Sequence, residues 1–533
     1  MIYFYLISIV VLAMGISLWT PGGIMLLDFI ISDTPYIAWY RPLGNMMTHV
    51  FGWVFGYEIG SKLVIFSILL AAGYLGILIS RNIITRLAIP LWWKSMIIEV
   101  LGILFLIMNP YAYERMMTQP LIYAWVVALW YGLYYLILHT RYIHAGISLG
   151  IALAMFPHAS YMIVLILGLY AVFYLRSSQW LVGLCITSLI ALLLNINWMI
   201  APYVGVKNID TISEFSGDNF MAFATQSIVP LDVFTTNLLL YGFWWETYDN
   251  HFARVELMSP YWYIAGVIIF LVIIAGWVLL YRCNMRRILS YLLVMCALSL
   301  VFAVGQSSVV TQGISQWMID YLPFWQGYRE PQKWTGLIMI GESLLFLTAI
   351  AYLYKRYIDD RIIGGAVFFA LLMVLYVWTP WVLWGYRNQM RTSIYPTWYY
   401  TVREILRDEN DLWGVLVLPW HAYIGCDWIQ RPTIANPLWA MYRGLPIIMP
   451  DTIEVGETLY ANNFKNPTRI GIDEFVRVGD PLYLDTENIS HIVLMRGCTG
   501  EEESEDVLSG AIASGKLSVV YDDSDIILYV VDR

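Results

Sequence analysis

Charged residues are scarce in this 533-residue sequence. Asp, Glu, Lys and Arg make up 13% of it, whereas hydrophobic residues make up 59%. Soluble domains carry about 25% charged and about 45–50% apolar residues, so water is not the main solvent of this chain. The net charge of −9 at pH 7 offers no basic surface for nucleic acid, and we exclude that class of partner.

The motifs of several enzyme classes are also missing. The sequence contains no Walker A motif, no GxGxxG after a strand, no HExxH and no GxSxG, so nucleotide hydrolases, zinc proteases and serine hydrolases are excluded. Its five cysteines form no Cys-x-x-Cys metal pattern. Cys426 and Cys498 are the two cysteines of the C-terminal region, and they can pair only if that region faces an oxidising compartment.

Long apolar runs are abundant. Nine are long enough to cross about 30 Å of hydrocarbon; they lie near residues 2–20, 60–80, 92–109, 120–139, 180–201, 260–281, 288–305, 335–354 and 362–380. The stretch 142–175 is too long for one helix and is interrupted by Pro157 and His158, which predicts a hairpin of two short helices. The predicted fold class is therefore an α-helical polytopic membrane protein with about eleven transmembrane helices.

Basic residues collect in alternate short loops, as the positive-inside rule requires. These loops carry Arg81, Arg86, Lys94, Arg141, Arg176, Arg282, Arg286, Arg287, Lys355, Arg356 and Arg361. The pattern predicts a multi-pass protein of the cell membrane with a cytoplasmic N-terminus and an extracytoplasmic C-terminus.

Three long loops lie on the predicted external side, at about 21–59, 202–259 and 306–334. Their apolar and aromatic stretches, such as 24–31 and 233–245, predict amphipathic helices on the membrane surface. Large loops on one face of a scaffold commonly enclose a functional site.

From about residue 381 the composition becomes that of a soluble α/β domain. Short β-branched runs bounded by turn residues predict strands at 414–419, 491–495, 517–521 and 526–531, and helices are predicted at 396–407 and 507–514. The acidic tract 501–506 predicts a solvated turn. We therefore divide the chain into a transmembrane domain, 1–380, and an extracytoplasmic α/β domain, 381–533.

The first candidate for chemistry is the external segment PGGIMLLDFIISDTP, which contains Asp28 and Asp33. Asp28 follows an apolar stretch at the membrane boundary, where desolvation raises a carboxyl pKa and suits a general base. In the alternative interpretation, Asp33 caps a helix and Asp28 faces solvent.

Two further external segments carry cations. NPYAYERMMTQ contains Tyr113 and Arg115. We expect Arg115 to bind phosphate or to pair with an acid; alternatively, Glu114 and Arg115 only anchor the loop. LPFWQGYREPQKW contains Arg329, Glu330 and Lys333 immediately before the tenth predicted helix. A guanidinium can donate two parallel hydrogen bonds to a phosphate and an ammonium supplies a point charge, so the pair is suited to bind phosphate. Alternatively, Arg329 pairs with Glu330 and Lys333 snorkels to lipid headgroups.

Taken together, PGGIMLLDF, NPYAYERMMTQ, LLNINWMIAP, LPFWQGYREPQKW and the C-terminal α/β region resemble the GT-C superfamily of polytopic glycosyltransferases, near the arabinofuranosyltransferases of cell-wall assembly. The resemblance implies transfer of a sugar from a polyprenyl- or dolichyl-phosphate donor to a glycan or glycoprotein acceptor outside the membrane. It also implies that Asp28, with Asp33 second, is the catalytic base of an inverting transfer. Arg329 and Lys333 match the positions expected to hold the lipid-linked phosphate.

Glu330, Arg115, Tyr113 and His158 complete the predicted substrate site, although a histidine in such a position is more often structural than a ligand. No cofactor is required, and a divalent cation, Mg²⁺ or Mn²⁺, is compatible with the sequence. Two alternative functions stay open. A lipid or glycolipid transporter needs charged residues in mid-span, for which Glu99 and Glu342 are the candidates. A non-catalytic membrane scaffold with a surface-binding outer domain needs none of these side chains.

Overall fold

The structure is a computed structural model, and it describes residues 1–31, 43–89, 91–174, 178–200, 220–221, 223–244, 260–282, 285–323, 325–409, 412–442, 444–450, 453–455, 458–460, 467–486 and 488–532. The first 380 residues are helical wherever the structure describes regular elements, apart from one two-residue strand. The helices are α1 (Ile2–Met14), α2 (Leu43–Leu87), α3 (Trp92–Ile107), α4 (Pro110–Thr118), α5 (Pro120–Leu133), α6 (Tyr142–Met155), α7 (Ala159–Tyr174), α8 (Ser178–Leu193), α9 (Ile196–Ile200), α10 (Val233–Leu238), α11 (Tyr261–Arg282), α12 (Arg286–Val304), α13 (Val309–Tyr321), α14 (Thr335–Arg356) and α15 (Arg361–Trp378).

The chain is a multi-pass helical membrane protein. Among the described residues, six helical segments are long and apolar enough to cross a bilayer, and a seventh is added if α3 and α4, which meet at a bend of 46°, form one broken span. Four shorter apolar helical segments, within residues 2–18, 142–155, 159–174 and 178–193, must also cross to reach the eleven spans predicted from the sequence. That count and the orientation of the termini therefore stay predictions. Residues 142–174 do divide into two short helices, α6 and α7, with the break at residues 156–158, but α6 packs mainly on α5 and α8.

The loop predicted at 21–59 contains a helical segment. Helix α2 begins at Leu43 and has a break at Gly56, whose φ of 73° and ψ of 163° favour glycine, so residues 43–55 are a separate helical segment before the predicted span. The predicted amphipathic helix over 24–31 is wrong. Those residues form a two-residue strand and irregular backbone, and most of their apolar side chains are buried. In the second loop, Val233–Leu238 forms a helix and residues 220–221 are also helical, while residues 201–219, 222 and 245–259 lie outside the described residues.

The C-terminal part is built on a five-stranded mixed sheet. Its strand order is β10-β11-β9-β3-β6, with β3 parallel to β6 and β9, and β11 antiparallel to β9 and β10. The strands of the whole chain are β1 (Gly23–Ile24), β2 (Thr392–Ser393), β3 (Val415–Leu418), β4 (Tyr423–Ile424), β5 (Ile434–Ala435), β6 (Ile447–Ile448), β7 (Ile453–Val455), β8 (Thr458–Tyr460), β9 (His491–Met495), β10 (Leu517–Asp523) and β11 (Ile526–Val531). The helices are α16 (Thr397–Asp408), α17 (Leu438–Met441), α18 (Pro467–Val478), α19 (Leu482–Thr486) and α20 (Glu501–Ala513), besides a left-handed turn at Leu383–Asn388.

Helix α20 corrects the prediction for the acidic tract. Glu501, Glu502 and Glu503 form its first turn and are not a solvated turn. Carboxylates are stabilising there because the amino end of a helix carries partial positive charge. A short acidic run before an apolar one is thus a helix start in this sequence.

The sheet region is joined to the membrane region through the loop that follows α1. Strand β1 pairs with β2, which lies after the last membrane helix, α15. The backbone amide of Ala435 donates to the carbonyl of Leu27 at 2.7 Å. The ring of Tyr395 stacks on Tyr57 with centroids 3.9 Å apart, and its hydroxyl donates to the Ile31 carbonyl. The segment carrying Asp28 is therefore held between the two regions.

Cys426 and Cys498 form a disulfide, the pairing that the sequence left open. It joins the segment after β4 to the segment after β9 across a sequence separation of 72 residues. Because the chain-entropy model assigns about 4 kcal/mol to closing a loop of this length, we expect the double variant Cys426→Ser/Cys498→Ser to unfold its sheet region at a lower temperature.

The measurement is thermal unfolding of the purified full chain in detergent, with and without reductant. Cys185→Ser is the matched control, because Cys185 is a free, exposed cysteine. An unchanged melting temperature in the double variant contradicts this prediction.

Candidate active site

Helix α4 carries the first cationic residue of the site. It starts where Asn109 caps it, since the Asn109 side chain accepts from the Ala112 amide at 2.9 Å and Pro110 occupies the first turn. Residues 110–118 are all buried, including the charged Glu114 and Arg115. The helix therefore projects a guanidinium into the protein interior, at the break between two apolar segments.

Arg115 meets the segment that precedes α14. Its Nη1 lies 3.2 Å from Oε2 of Glu330, and the Lys333 ammonium lies 3.8 Å from the same oxygen. All three side chains are nearly inaccessible, with relative exposures of 0%, 7% and 6%. We call Arg115, Arg329, Glu330 and Lys333 the cationic cluster. Arg115 and Glu330 are thus in contact although 215 residues separate them in the sequence.

The cationic cluster has more positive than negative charge. Burial alone would raise the pKa of Glu330, but the charges of Lys333 and Arg115 outweigh it and hold that pKa at about 2. Glu330 is therefore ionised, and three cations face one carboxylate. Nε and Nη2 of Arg115 are buried without a hydrogen-bond partner among the described residues. Because buried donors are almost always satisfied, this geometry fits a site for an anion.

Arg329 and His158 lie at the edge of the cationic cluster. The Arg329 guanidinium sits 4.7 Å above the ring of Phe223, and its charge also lowers the pKa of Glu330. The imidazole of His158 packs edge-on against Tyr328, 5.4 Å between centroids, and contributes in the same direction. Both predicted residues therefore lie within electrostatic range of Glu330. The interpretation in which Glu330 only anchors Arg329 is incomplete, since Arg115 and Lys333 share the carboxylate.

Asp28 is positioned by groups from both regions of the chain. Its backbone amide donates to the Thr118 carbonyl at 3.1 Å, directly after the end of α4. The amide Nε2 of Gln119 donates to one carboxylate oxygen, Oδ2. The hydroxyl of Tyr423, in strand β4, donates to the other, Oδ1, at 2.7 Å. Both oxygens thus accept from fixed donors.

The electrostatics of Asp28 suit a base. Burial raises its pKa above the ordinary 3.8, while the hydrogen bonds from Tyr423 and Gln119 lower it in part. Glu330 raises the pKa and Arg329 lowers it, so both lie within electrostatic range of the carboxylate, as does Lys333. The side chain is surrounded by protein yet opens to solvent on one side.

The open side of Asp28 is a cavity of about 1000 Å³. Apart from Asp28 and Ile30, its lining comes from residues 412–450 of the sheet region, among them Asn436 and Trp439. Asp28 therefore borders a cavity lined by the sheet region and lies within electrostatic range of Arg329, Glu330 and Lys333, which do not line that cavity.

Not every predicted residue joins this arrangement. Tyr113 lies two residues from Arg115, about 200° around the helix, and points the other way. Its hydroxyl donates to the side chain of Gln389 at 3.0 Å, and its ring packs on Trp381 and Tyr386. Asp33 lies outside the described residues.

Tyr423 is the one Asp28 partner that sequence reasoning overlooked. It stands in the segment LPWHAY. Nothing in that hexapeptide marks the tyrosine, which is one of 39 in the chain. Gln119, by contrast, is the last residue of NPYAYERMMTQ, a segment that the sequence analysis singled out.

The described residues contain no group of three or more His, Cys, Asp or Glu side chains arranged to hold a metal ion. Within electrostatic range of Asp28 they supply Glu330, Arg329 and Lys333, whereas Mg²⁺ and Mn²⁺ prefer several oxygen ligands. Asp33 would add a carboxylate but is not described, so the divalent cation stays a prediction and no step is assigned to it.

No protein-family model matches this sequence, and no curated protein matches it significantly. Solved structures do match. Three structures of the arabinofuranosyltransferase AftD from Mycobacteria, two of them of a mutant, align with TM-scores of 0.66, 0.65 and 0.58 at 13%, 14% and 12% identity. The alignments cover 100% of this chain and 40–41% of AftD, so the chain spans about two fifths of the length of these relatives.

Proposed function

We propose that this chain, which has the GT-C fold of polytopic membrane glycosyltransferases, transfers a sugar from a polyprenyl-phosphate-linked donor to an acceptor hydroxyl on the extracytoplasmic face. Membrane lipids surround the site, and a glycan or glycoprotein supplies the acceptor. The observation that carries the proposal is the position of Asp28, within electrostatic range of the cationic cluster and open to a cavity of about 1000 Å³. We also propose that residues 381–533 form the outer domain.

The division of roles follows from charge. A lipid-phosphate sugar is already activated, so the protein must hold the leaving phosphate and remove a proton from the acceptor. Arg329, Lys333 and Arg115 offer the phosphate charge-assisted hydrogen bonds, and Nε and Nη2 of Arg115 are available for them. The acceptor enters from the cavity, where its hydroxyl meets the Asp28 carboxylate.

The reaction then proceeds by displacement. Asp28 takes the proton of the acceptor hydroxyl as that oxygen attacks the anomeric carbon. The bond between this carbon and the phosphate oxygen breaks, and the phosphate leaves with the electron pair, stabilised by the cationic cluster. Because base and leaving group lie on opposite sides of the sugar, the configuration at the anomeric carbon inverts. Asp28 finally releases its proton to solvent in the cavity.

The pH dependence of transfer reports on Asp28. The base is active only when ionised, and burial raises its pKa above 3.8. We therefore expect kcat/KM to fall as the pH drops through a midpoint above that value. The measurement is kcat/KM against pH for the full chain in lipid nanodiscs, with a polyprenyl-phosphate arabinose as the first donor, because AftD is an arabinofuranosyltransferase by name. An acid midpoint at or below 3.8 contradicts the assignment.

Donor binding reports on Arg329. Charge-assisted hydrogen bonds contribute about 1.5–3 kcal/mol, so we expect Arg329→Gln to raise the donor KM about tenfold to a hundredfold, with Arg329→Lys intermediate. Arg391→Gln is the control, since Arg391 is bonded to the Asn388 carbonyl outside the site. An unchanged donor KM in Arg329→Gln argues against phosphate binding there.

A transporter is less well supported. Of its two mid-span candidates, Glu99 is paired with Arg81 at 2.9 Å. Glu342 is buried in α14, and its Oε2 has no hydrogen-bond partner among the described residues. One such acid does not make a path across the membrane. A non-catalytic scaffold does not require an acid within range of buried cations. The scaffold hypothesis also predicts that Asp28 variants change no measurable property of the protein.

A further inference from the structure

The outer domain contributes a side chain to the membrane-boundary acid. Tyr423 Oη and Asp28 Oδ1 are 2.7 Å apart, although 395 residues separate them in the chain. The opposite oxygen, Oδ2, accepts from Gln119. A carboxylate offers about four lone-pair positions, so two remain for a ligand in the cavity. Because each donor binds a different oxygen, the two hydrogen bonds together fix the orientation of the carboxylate plane.

The tyrosine hydroxyl is itself held in place. Strand β4 pairs with β5, with Tyr423 opposite Ala435. The amide of Ala435 donates to the Leu27 carbonyl, one residue before Asp28, and the amide of Asn436 donates to the Ala422 carbonyl at 2.8 Å. The disulfide at Cys426 begins two residues after β4. The hairpin and the acid are therefore connected twice, once through the backbone and once through Tyr423.

We propose that Tyr423 is a positioning residue for Asp28, so that the base of the transferase is complete only when the β4–β5 hairpin of the outer domain is docked on the first external loop. The inference rests on the proposed function for its catalytic meaning, and on the contact geometry for its physical content. Tyr423 acts through Asp28 and does not itself exchange a proton with the substrate.

The hydrogen bond has two consequences for the acid. It stabilises the ionised form, because a hydroxyl that donates to a carboxylate favours the charged state. It also orients the carboxylate, so the free lone pairs face the cavity. The other ionisable groups near Asp28 are Glu330, which opposes ionisation, and Arg329 and Lys333, which favour it. Those three belong to the cationic cluster and are unchanged when the tyrosine hydroxyl is removed.

The test removes only that hydroxyl. In Tyr423→Phe we expect the midpoint for ionisation of Asp28 to rise by about one pH unit, a tenfold change in the ionisation constant. The midpoint is read by pH-difference infrared spectroscopy of the full chain in nanodiscs, with the Asp28 carboxyl band assigned by its loss in Asp28→Asn. The acid limb of kcat/KM should move by the same amount, with the donor KM unchanged.

Tyr521→Phe is the matched control. Its hydroxyl donates to a carboxylate oxygen of Asp523 at 2.9 Å in the β10–β11 turn, which reproduces the chemistry away from the site. It should leave both the Asp28 midpoint and transfer unchanged. A second variant covers the case in which Tyr423→Phe does not fold. Difluorotyrosine at position 423 keeps the ring and donates more strongly, so it should move the Asp28 midpoint downward.

The outcomes separate the two proposals. If Asp28 shifts in opposite directions in the two variants but no sugar is transferred, the positioning role holds and the proposed function fails. If sugar is transferred and neither the Asp28 midpoint nor the acid limb moves in Tyr423→Phe, the positioning role is overturned while the transferase stands. A shift in Tyr521→Phe as large as in Tyr423→Phe also overturns it.

Discussion

Asp28→Asn is expected to lower the rate of sugar transfer about 10²–10⁴-fold, the usual contribution of a positioned general base. Asn has almost the same shape as Asp, and its oxygen can still accept from Tyr423, but it cannot take a proton from the acceptor. The donor KM should change little, because the cationic cluster is intact. Transfer is measured with a radiolabelled polyprenyl-phosphate sugar under single-turnover conditions.

The same variant should stay folded. The raised pKa of Asp28 means that its charge is less favourable in the folded protein than in water, so its contribution to stability falls as the pH rises through that pKa. A neutral Asn relieves this cost, and the melting temperature should be equal or slightly higher. Asp320→Asn is the control, since Asp320 accepts from Gln316 within α13. Full transfer by Asp28→Asn would overturn the role of Asp28 as the catalytic base.

Glu330→Gln is expected to have the largest effect on stability. It removes the carboxylate shared by Arg115 and Lys333, and leaves two buried cations without their counter-charge. Breaking a buried ion pair in this way costs about 3–5 kcal/mol. The variant should therefore melt at a clearly lower temperature and lose transfer with it. Thermal unfolding in detergent at pH 7 is the measurement.

The destabilisation expected for Glu330→Gln depends on pH. The pKa of Glu330 falls from 4.5 to about 2 on folding, so its stabilising contribution is complete above pH 4.5 and is lost as the pH falls through about 2. The difference in melting temperature between Glu330→Gln and the parent protein should therefore shrink as the pH falls from 4.5 to about 2. Glu342→Gln is the control, because Oε2 of that buried carboxylate has no partner among the described residues. A variant at Glu342 as unstable as Glu330→Gln would contradict the special role of the cluster.

Hydropathy and β-branched runs located most of the regular elements, because long apolar helices and central strands carry strong local signals. The predicted runs 335–354 and 491–495 differ by no more than two residues from α14 and β9 at either end. The segment 24–31 failed for a physical reason. Met25, Leu26 and Leu27 are buried in succession between the two regions, so the burial pattern has neither the helical nor the strand period.

Part of the candidate site could be predicted from the sequence for a similar reason. Charged residues stand out in an apolar chain, so Asp28, Arg115, Arg329, Glu330 and Lys333 were found one at a time. Their meeting was not predictable from spacing. Tyr423 gave no signal, since strands β4 and β5 have two residues each and their pairing to the Asp28 loop is decided by tertiary contacts.

The long separation between Asp28 and Tyr423 also has a consequence for biogenesis. During synthesis the acid leaves the ribosome 395 residues before the hydroxyl that holds it. The hydrogen bond between Tyr423 and Asp28 can therefore form only after every described membrane helix has been synthesised, because the last of them, α15, ends at Trp378. The orientation of the acid thus depends on a segment that is made after the membrane region.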